Sequence, residues 1–353
     1  MNKFVAKRAT IIDVAQRAGV SPQTVSNVIY RLKEPRPDTL RRVTEAIAFL
    51  GYTPNIAAKA LRSQRSDTIA LLMEDPFELG IDDPLHGEFL QGVCKAARAA
   101  RRTVIVDFVD PKETEERIRD LIQERRAGSL ILSLGQIGST QRRLLIDLAA
   151  GDMPIVLLQQ TATFPGITIL RAEDHAGAEA SVDHLHMVGH KHILFLGASP
   201  DWPAPAERRR GVREACARLS LNLTERDGSA YTVAAAQSEI LRALDDGASF
   251  TAVVAVNDIV ALGAIFGLQE RGLRVPGDCA VIGFNDFNFS AWMRPGISSI
   301  QIPGRAMGER AIAFLTTKSG DTEMPNEIVF PAKLIAREST LGRTPKHANT
   351  DFC

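Results

Sequence analysis

Gln23, Thr24, Ser26 and Asn27 alternate with the apolar Val25, Val28 and Ile29 in one short stretch. At helical spacing the apolar three turn inward and the amides and hydroxyls point outward. An exposed row of that kind can hydrogen-bond base edges and phosphates. The elements that must hold it are written just ahead of it. Thr10 caps a first helix with an apolar stripe of Ile11, Val14 and Ala15. Gly19 supplies the turn, with Val20 plugging beneath it. Ser21 caps a second helix that has Pro22 at its first position, where a missing N–H costs nothing. Two short helices around a tight turn form a helix-turn-helix, the unit that lays its second helix in the DNA major groove. The shape alone equally suits a helical hairpin in another all-α module, so the surroundings must separate the two.

Charge favours nucleic acid. Residues 1–65 contain twelve Lys or Arg against Asp13, Glu34, Asp38 and Glu45, a net +8. The whole chain is neutral, so the remainder carries −8. A basic head attracts phosphate, whereas an acidic body is repelled by it.

The head resembles the DNA-binding domain of the lac-repressor (LacI/GalR) family of bacterial transcription regulators. The resemblance rests on Ile12-Asp-Val-Ala…Ala18-Gly-Val-Ser-Pro-Gln-Thr-Val-Ser26, Thr39-Leu-Arg-Arg-Val-Thr-Glu-Ala-Ile47, Leu50-Gly-Tyr-Thr-Pro-Asn55 and Ala57-Ala-Lys-Ala-Leu-Arg62, and it continues to about Leu341. A third helix is expected from about Pro37 to Leu50, with Val43, Ile47 and Leu50 packing on the first two and Gly51 ending it. The expected DNA-binding set in the head is Thr10, Ser21, Pro22, Gln23, Thr24, Ser26 and Asn27. Pro22, Gln23 and Asn27 occupy the family's base-choosing positions, and Asn27 stands where many relatives carry Arg. The resemblance also implies a hinge helix over 56–62, capped by Asn55. There Leu61 would wedge into the minor groove, and the small Ala57 and Ala58 would let paired hinges approach DNA.

The body alternates apolar runs with amphipathic stretches. The runs are 69–73, 104–108, 130–134, 155–158, 193–197, 252–256 and 280–284, with helices such as 88–101, 113–126, 176–188 and 258–272 between them. That alternation implies parallel sheets covered on both faces. The fold class is thus an N-terminal all-α helix-turn-helix domain plus an α/β body of two lobes, similar to periplasmic binding proteins. The expected boundaries are 1–54 for the head, 55–66 for hinge and linker, 67–341 for the effector and dimerisation domain, and 342–353 for a polar tail. Lobe crossovers are expected near 169, 298 and 327. In such folds the ligand lies at the carboxyl ends of strands. The resemblance maps Phe77, Arg208, Asn257, Asn285, Asp286 and Trp292 onto that cleft. Arg208 would clamp a sugar hydroxyl or carboxylate. Asn257 would be the better ligand contact of the pair Asn257–Asp258, with Asp258 capping the next helix. Asn285 stands where the family's motif carries Asp, Trp202 is a weaker wall candidate than Trp292, and the loop 75–84 is longer than the family's usual one.

Other chemistry finds little support. His184, His186, His190 and His192 crowd one segment, but further zinc ligands are not apparent, and no metal is expected. Cys94, Cys216, Cys279 and Cys353 are scattered without metal or disulfide spacing. No apolar run is long enough to span a membrane, and Met1–Ala9 lacks a signal-peptide core, so a cytoplasmic, nucleoid-associated protein is expected. No phosphate loop, dinucleotide motif or nucleophile supports an enzyme or a cofactor. The expected function is a homodimeric regulator, in this family most often a repressor. It would bind a palindromic operator in double-stranded DNA under control of a sugar-like effector. A purine-type corepressor-dependent regulator and a non-exported solute-binding protein are the alternatives.

Overall fold

The computed structural model describes residues 9–30, 35–52, 66–76, 78–198, 202–317 and 325–341. The expected sites at Asn55, Ala57, Ala58, Leu61 and Phe77, and the tail 342–353, lie outside these residues. Contacts divide the chain into two compact units, Met1–Arg65 and Ser66–Cys353.

The head holds three helices, α1 (Ile11–Ala18), α2 (Pro22–Tyr30) and α3 (Pro37–Leu50). Thr10 and Asp13 form a reciprocal capping box, with the Asp13 N–H donating to Thr10 Oγ1 at 3.3 Å and the Thr10 N–H to Asp13 Oδ2 at 2.7 Å. Gly19 ends α1 in the left-handed region at φ 62°, where a Cβ would be strained. The Ser21 hydroxyl caps α2 by accepting from the Thr24 N–H at 3.1 Å. Val14, Ala15, Ala18, Val25, Val43 and Ala46 form the buried core, with Ile11, Val20, Val28, Ile29, Ile47 and Leu50 packed against it.

The body begins with β1 (Thr68–Glu74), a short 3₁₀ turn (Gly80–Asp82), α4 (Pro84–Ala99), β2 (Thr103–Val109), α5 (Thr114–Gln123), β3 (Ser129–Ser133), α6 (Ser139–Ala150), β4 (Ile155–Leu158) and β5 (Thr168–Ala172). The chain then crosses to a second lobe made of α7 (Asp174–Met187), β6 (His192–Gly197), α8 (Pro203–Arg218), β7 (Asn222–Asp227), α9 (Val233–Asp245), β8 (Ala252–Ala255), α10 (Asp258–Glu270), β9 (Ala280–Asn285), α11 (Asn288–Trp292) and β10 (Ser298–Gln301). It returns to the first lobe as α12 (Gly304–Thr316) and β11 (Glu327–Phe330), and crosses again to β12 (Lys333–Ile335). The sheets run β11-β5-β4-β3-β1-β2 and β12-β10-β9-β8-β6-β7. Among the described pairings only β10 with β12 is antiparallel.

Central strands β3, β4, β8 and β9 are buried along their whole length, as strands between two helical layers must be. Each lobe has its own core, around Phe195 and Phe284 in the second and on both faces of the sheet in the first. The returning α12 locks onto α4, where a Cβ on Gly92 would fall 2.0 Å from the Arg305 carbonyl oxygen. Apolar runs announce β1–β4, β6, β8 and β9, but they miss β7. That edge strand reads Asn-Leu-Thr-Glu-Arg-Asp and has exposed ends. They also miss β5, β10, β11 and β12, because the segments that carry the chain between lobes are themselves short strands.

Candidate functional site

On the head, Pro22 and Gln23 are exposed, and Thr24 and Asn27 are half-exposed. Gln23 Nε2 donates to Asn27 Oδ1 at 3.1 Å, so the two amides lie side by side along α2. Ser21 and Thr24 share a hydroxyl–hydroxyl bond of 2.9 Å. Ser26 departs from expectation: it is buried, only 6% exposed, and does not belong to the outward row. One residue after Val25 is a 100° turn, which leaves it on the flank of the packed face. Part of the basic charge is also committed internally. Arg41 and Arg42 of α3 pair with Asp38 at 2.8 and 3.2 Å, and the Arg17 guanidinium lies over the Phe49 ring at 3.3 Å.

In the body a cavity of about 80 Å³ opens between the lobes. Glu74, Ser133 and Gln159 reach it from the ends of β1, β3 and β4, joined by Asp75, Asp83 and His86. Across it stand Trp202, Arg208, Tyr231, Asn257 and Asn285 of the second lobe.

Arg208 is placed by Gly211, where a Cβ would come within 2.4 Å of the His175 carbonyl oxygen. The bare glycine therefore lets α8 press on α7, and Arg208 meets Asp174 there. Its Nε donates to Asp174 Oδ1 at 2.8 Å, Nη1 to the Val256 carbonyl at 2.7 Å and Nη2 to Asn285 Oδ1 at 3.0 Å. The guanidinium stacks on Phe284 at 3.9 Å. Three of its five N–H groups are thus bound within the protein, leaving two for a ligand. Burial pushes the Asp174 carboxyl above its ordinary value, while Arg208 pulls it back down.

Asn257 lines the cavity as expected, but it also takes the helix cap expected of Asp258. Asn257 Oδ1 caps α10 by accepting from the Val260 N–H at 2.9 Å, so only its Nδ2 is left over for the cavity it lines. The fully buried Asp258 carboxylate instead staples the following loop. It accepts from the Phe287 N–H at 2.7 Å and the Ser290 and Ser299 hydroxyls at 2.8 and 2.6 Å. Burial pushes this carboxyl up to about 7. The staple holds Asn285 and Asp286 in left-handed conformations, at φ 97° and 60°. Backbone strain of that kind gathers at functional sites.

Two residues expected in the cleft, Asp286 as a polar contact and Trp292 as an aromatic wall, are elsewhere. Asp286 faces away from the cavity, with Arg337 Nη2 2.6 Å from its Oδ1 and Gln301 Nε2 donating to its Oδ2 at 2.9 Å. Trp292 closes α11 with 74% of its surface exposed, and Trp202 lines the cavity in its place. Of the clustered histidines, His184 bonds Thr340 at 2.7 Å and His190 bonds Thr251 at 3.0 Å, while His186 is exposed.

Sequence reasoning missed Glu74, His86, Gln159 and Tyr231, and did not single out Asp75 within the loop 75–84. The available signal was position, since Glu74 and Gln159 sit at or just past strand carboxyl ends, where ligands of open α/β sheets bind. Gln159 has a left-handed backbone at φ 59°, and its Oε1 accepts from the Ala172 N–H at 3.0 Å. Its Nε2 is buried with no partner among the described residues.

Two family models match the chain: bacterial regulatory proteins of the lacI family over residues 10–55, and a periplasmic binding protein-like domain over residues 182–340. The HTH-type transcriptional regulator AscG of Escherichia coli K12 is 30% identical over 339 residues, covering 94% of this chain and 98% of that protein. Catabolite control protein A of Priestia megaterium is 28% identical over 341 residues, covering 94% and 99%. Among solved structures, the lac repressor dimer bound to operator and the anti-inducer ONPF superposes with a TM-score of 0.81 at 24% identity, covering 95% of this chain and all of that one. The CelR–cellobiose complex superposes at 0.69 with 25% identity, covering 94% and 100%. These relatives are regulators rather than enzymes, and the likeness to them runs through both the helix-turn-helix head and the two-lobed body. The chain belongs to the lacI family of bacterial regulatory proteins.

Proposed function

We propose that this chain is a transcriptional repressor that grips a palindromic operator as a homodimer, under control of a small polar ligand in the cleft between its lobes. The observation that carries the reading is a cavity walled by both lobes in a chain that also bears a capped helix-turn-helix. At about 80 Å³ the cavity is smaller than the roughly 300 Å³ of an ordinary ligand pocket. A ligand of sugar size therefore prefers a wider lobe spacing, and that preference is what a ligand needs to shift a conformational equilibrium. Gln23 and Asn27 offer the amide pairs that suit adenine edges, with Thr24 and Ser21 at the phosphates. Arg208, Asn257 and Asn285 supply polar contacts to the ligand. Among relatives, CelR is described in complex with cellobiose, and the lac repressor as a dimer on operator, which supports a sugar or sugar derivative here. Such a protein works in the cytoplasm, on nucleoid DNA.

The test is selection of genomic DNA fragments by the purified full-length protein at near-physiological salt. One enriched palindrome, with affinity changed by an added ligand, supports the reading. Enrichment without a shared motif would leave only nonspecific electrostatic binding and overturn it.

A further inference from the structure

Granted that the effector binds in this cleft, the charge on the cleft wall narrows what the effector can be. Among the described residues the wall carries three carboxylates, Glu74, Asp75 and Asp83, against one Arg or Lys side chain, Arg208. Arg208 already has its counter-charge in Asp174, 2.8 Å away and equally buried, so it offsets none of the three.

Glu74 is only 4% exposed. It accepts from Thr114 Oγ1 at 2.8 Å, Gln141 Nε2 at 3.2 Å and the Gly135 N–H at 2.6 Å. All three contacts set a donor against the carboxyl, which acts here only as an acceptor. No salt bridge reaches it from the described residues. Asp75 accepts from the Leu79 and Gly80 N–H groups at 3.0 and 2.5 Å, and Asp83 from the Leu85 N–H at 2.8 Å. These neutral donors satisfy hydrogen bonding but bring no positive charge. Glu74 and Asp75 are buried and Asp83 is partly exposed, and carboxylates shielded from water as the first two are remain costly until a counter-charge arrives.

The facing wall adds Trp202 and Tyr231, whose rings attract a cation over their faces. Burial raises the Tyr231 phenol above its ordinary value and keeps that ring neutral. Gln159 Nε2, buried with no partner among the described residues, is matched to an oxygen acceptor.

We propose that the cleft selects a small organic cation: a protonated amine on a hydroxylated body, of the amino-sugar class. Its ammonium is drawn to the first-lobe wall of Glu74, Asp75 and Asp83, and a hydroxyl oxygen accepts from Gln159 Nε2. A phosphorylated or carboxylated sugar would meet repulsion from the same wall.

The test is calorimetric titration of the full-length protein with glucosamine, galactosamine and mannosamine, each against its parent hexose, N-acetyl form and 6-phosphate. At least one amine is expected to bind about tenfold or more tightly than its neutral parent, a difference of one decade in Kd. Glu74→Gln should erase that preference. Asp83→Asn should reduce it while keeping the helix cap, since Asn caps as well as Asp, and so it serves if the buried Glu74 variant fails to fold. A parent hexose, N-acetyl form or phosphate that matches every amine would overturn the proposal, and so would no binding by any amine. A neutral hexose that alters operator affinity would overturn the cation while leaving the regulator standing. Failure to enrich any operator would strike the regulator reading instead.

Discussion

Arg208 is matched to a ligand in type, yet most of its donors serve the protein. Arg208→Ala would leave Asp174 buried and unpaired, which costs about 3–5 kcal/mol. A lower urea midpoint for the full-length protein should reveal this, and adding Asp174→Asn should recover much of the loss. On the head, Gln23→Ala or Asn27→Ala should cost about 1–3 kcal/mol of operator affinity, lost at particular base positions when measured by gel shift on a mutated-site panel. Ser26→Ala, at a buried position, should leave base preference intact. Asp258 carries a pH dependence of definite sign. Its carboxyl moves from 3.8 in the unfolded chain to about 7 in the fold, so between those values the folded state holds the extra proton. The stability it contributes is full below the lower value and is lost as pH rises through the upper one. Urea midpoints at about pH 5 and about pH 8 should differ less in Asp258→Asn than in the parent. The cleft positions of Arg208, Asn257 and Asn285 were legible because each sits in a motif at fixed distance from a glycine or a strand end. Trp292 and Asp286 were not. A short helix and two left-handed residues decide where they point, and neither feature leaves a periodic trace.

At the scale of elements, legibility followed burial. Strands covered on both faces are continuous apolar runs, so β1, β3, β4, β6, β8 and β9 could be read directly, whereas β7 carries Glu225, Arg226 and Asp227 on a sheet edge and could not. The caps of α1 and α2 were equally plain, because Thr10, Gly19 and Ser21 are residue types with few other reasons to stand at that spacing. The contact between α4 and α12 was hidden, since nothing local announces that residues more than two hundred positions apart will touch. It gives a sharp prediction. Gly92→Ala places a methyl group against the Arg305 backbone, which cannot yield as a side chain would. The expected cost is about 1–3 kcal/mol of overpacking, read as a lower melting temperature. An unchanged melt would mean that the two helices slide apart freely.

The whole molecule divides its charge as it divides its work, with +8 on residues 1–65 and −8 on the remainder. Operator affinity should therefore fall steeply with salt, with a slope set by the phosphates neutralised at the head. Arg41→Ala should barely change that slope, because Asp38 and Glu45 already hold Arg41. The three crossings between lobes have a consequence of another kind, for the order in which a growing chain matures. The described helices of the head are complete by Leu50, but the first lobe waits for β11, which ends at Phe330. At about 5–20 residues per second, that separates the two by roughly 14–56 s of synthesis. During that interval a ribosome carries a finished reading head with no finished sensor behind it. Both lobes then close almost together, within the last few residues of β11 and β12.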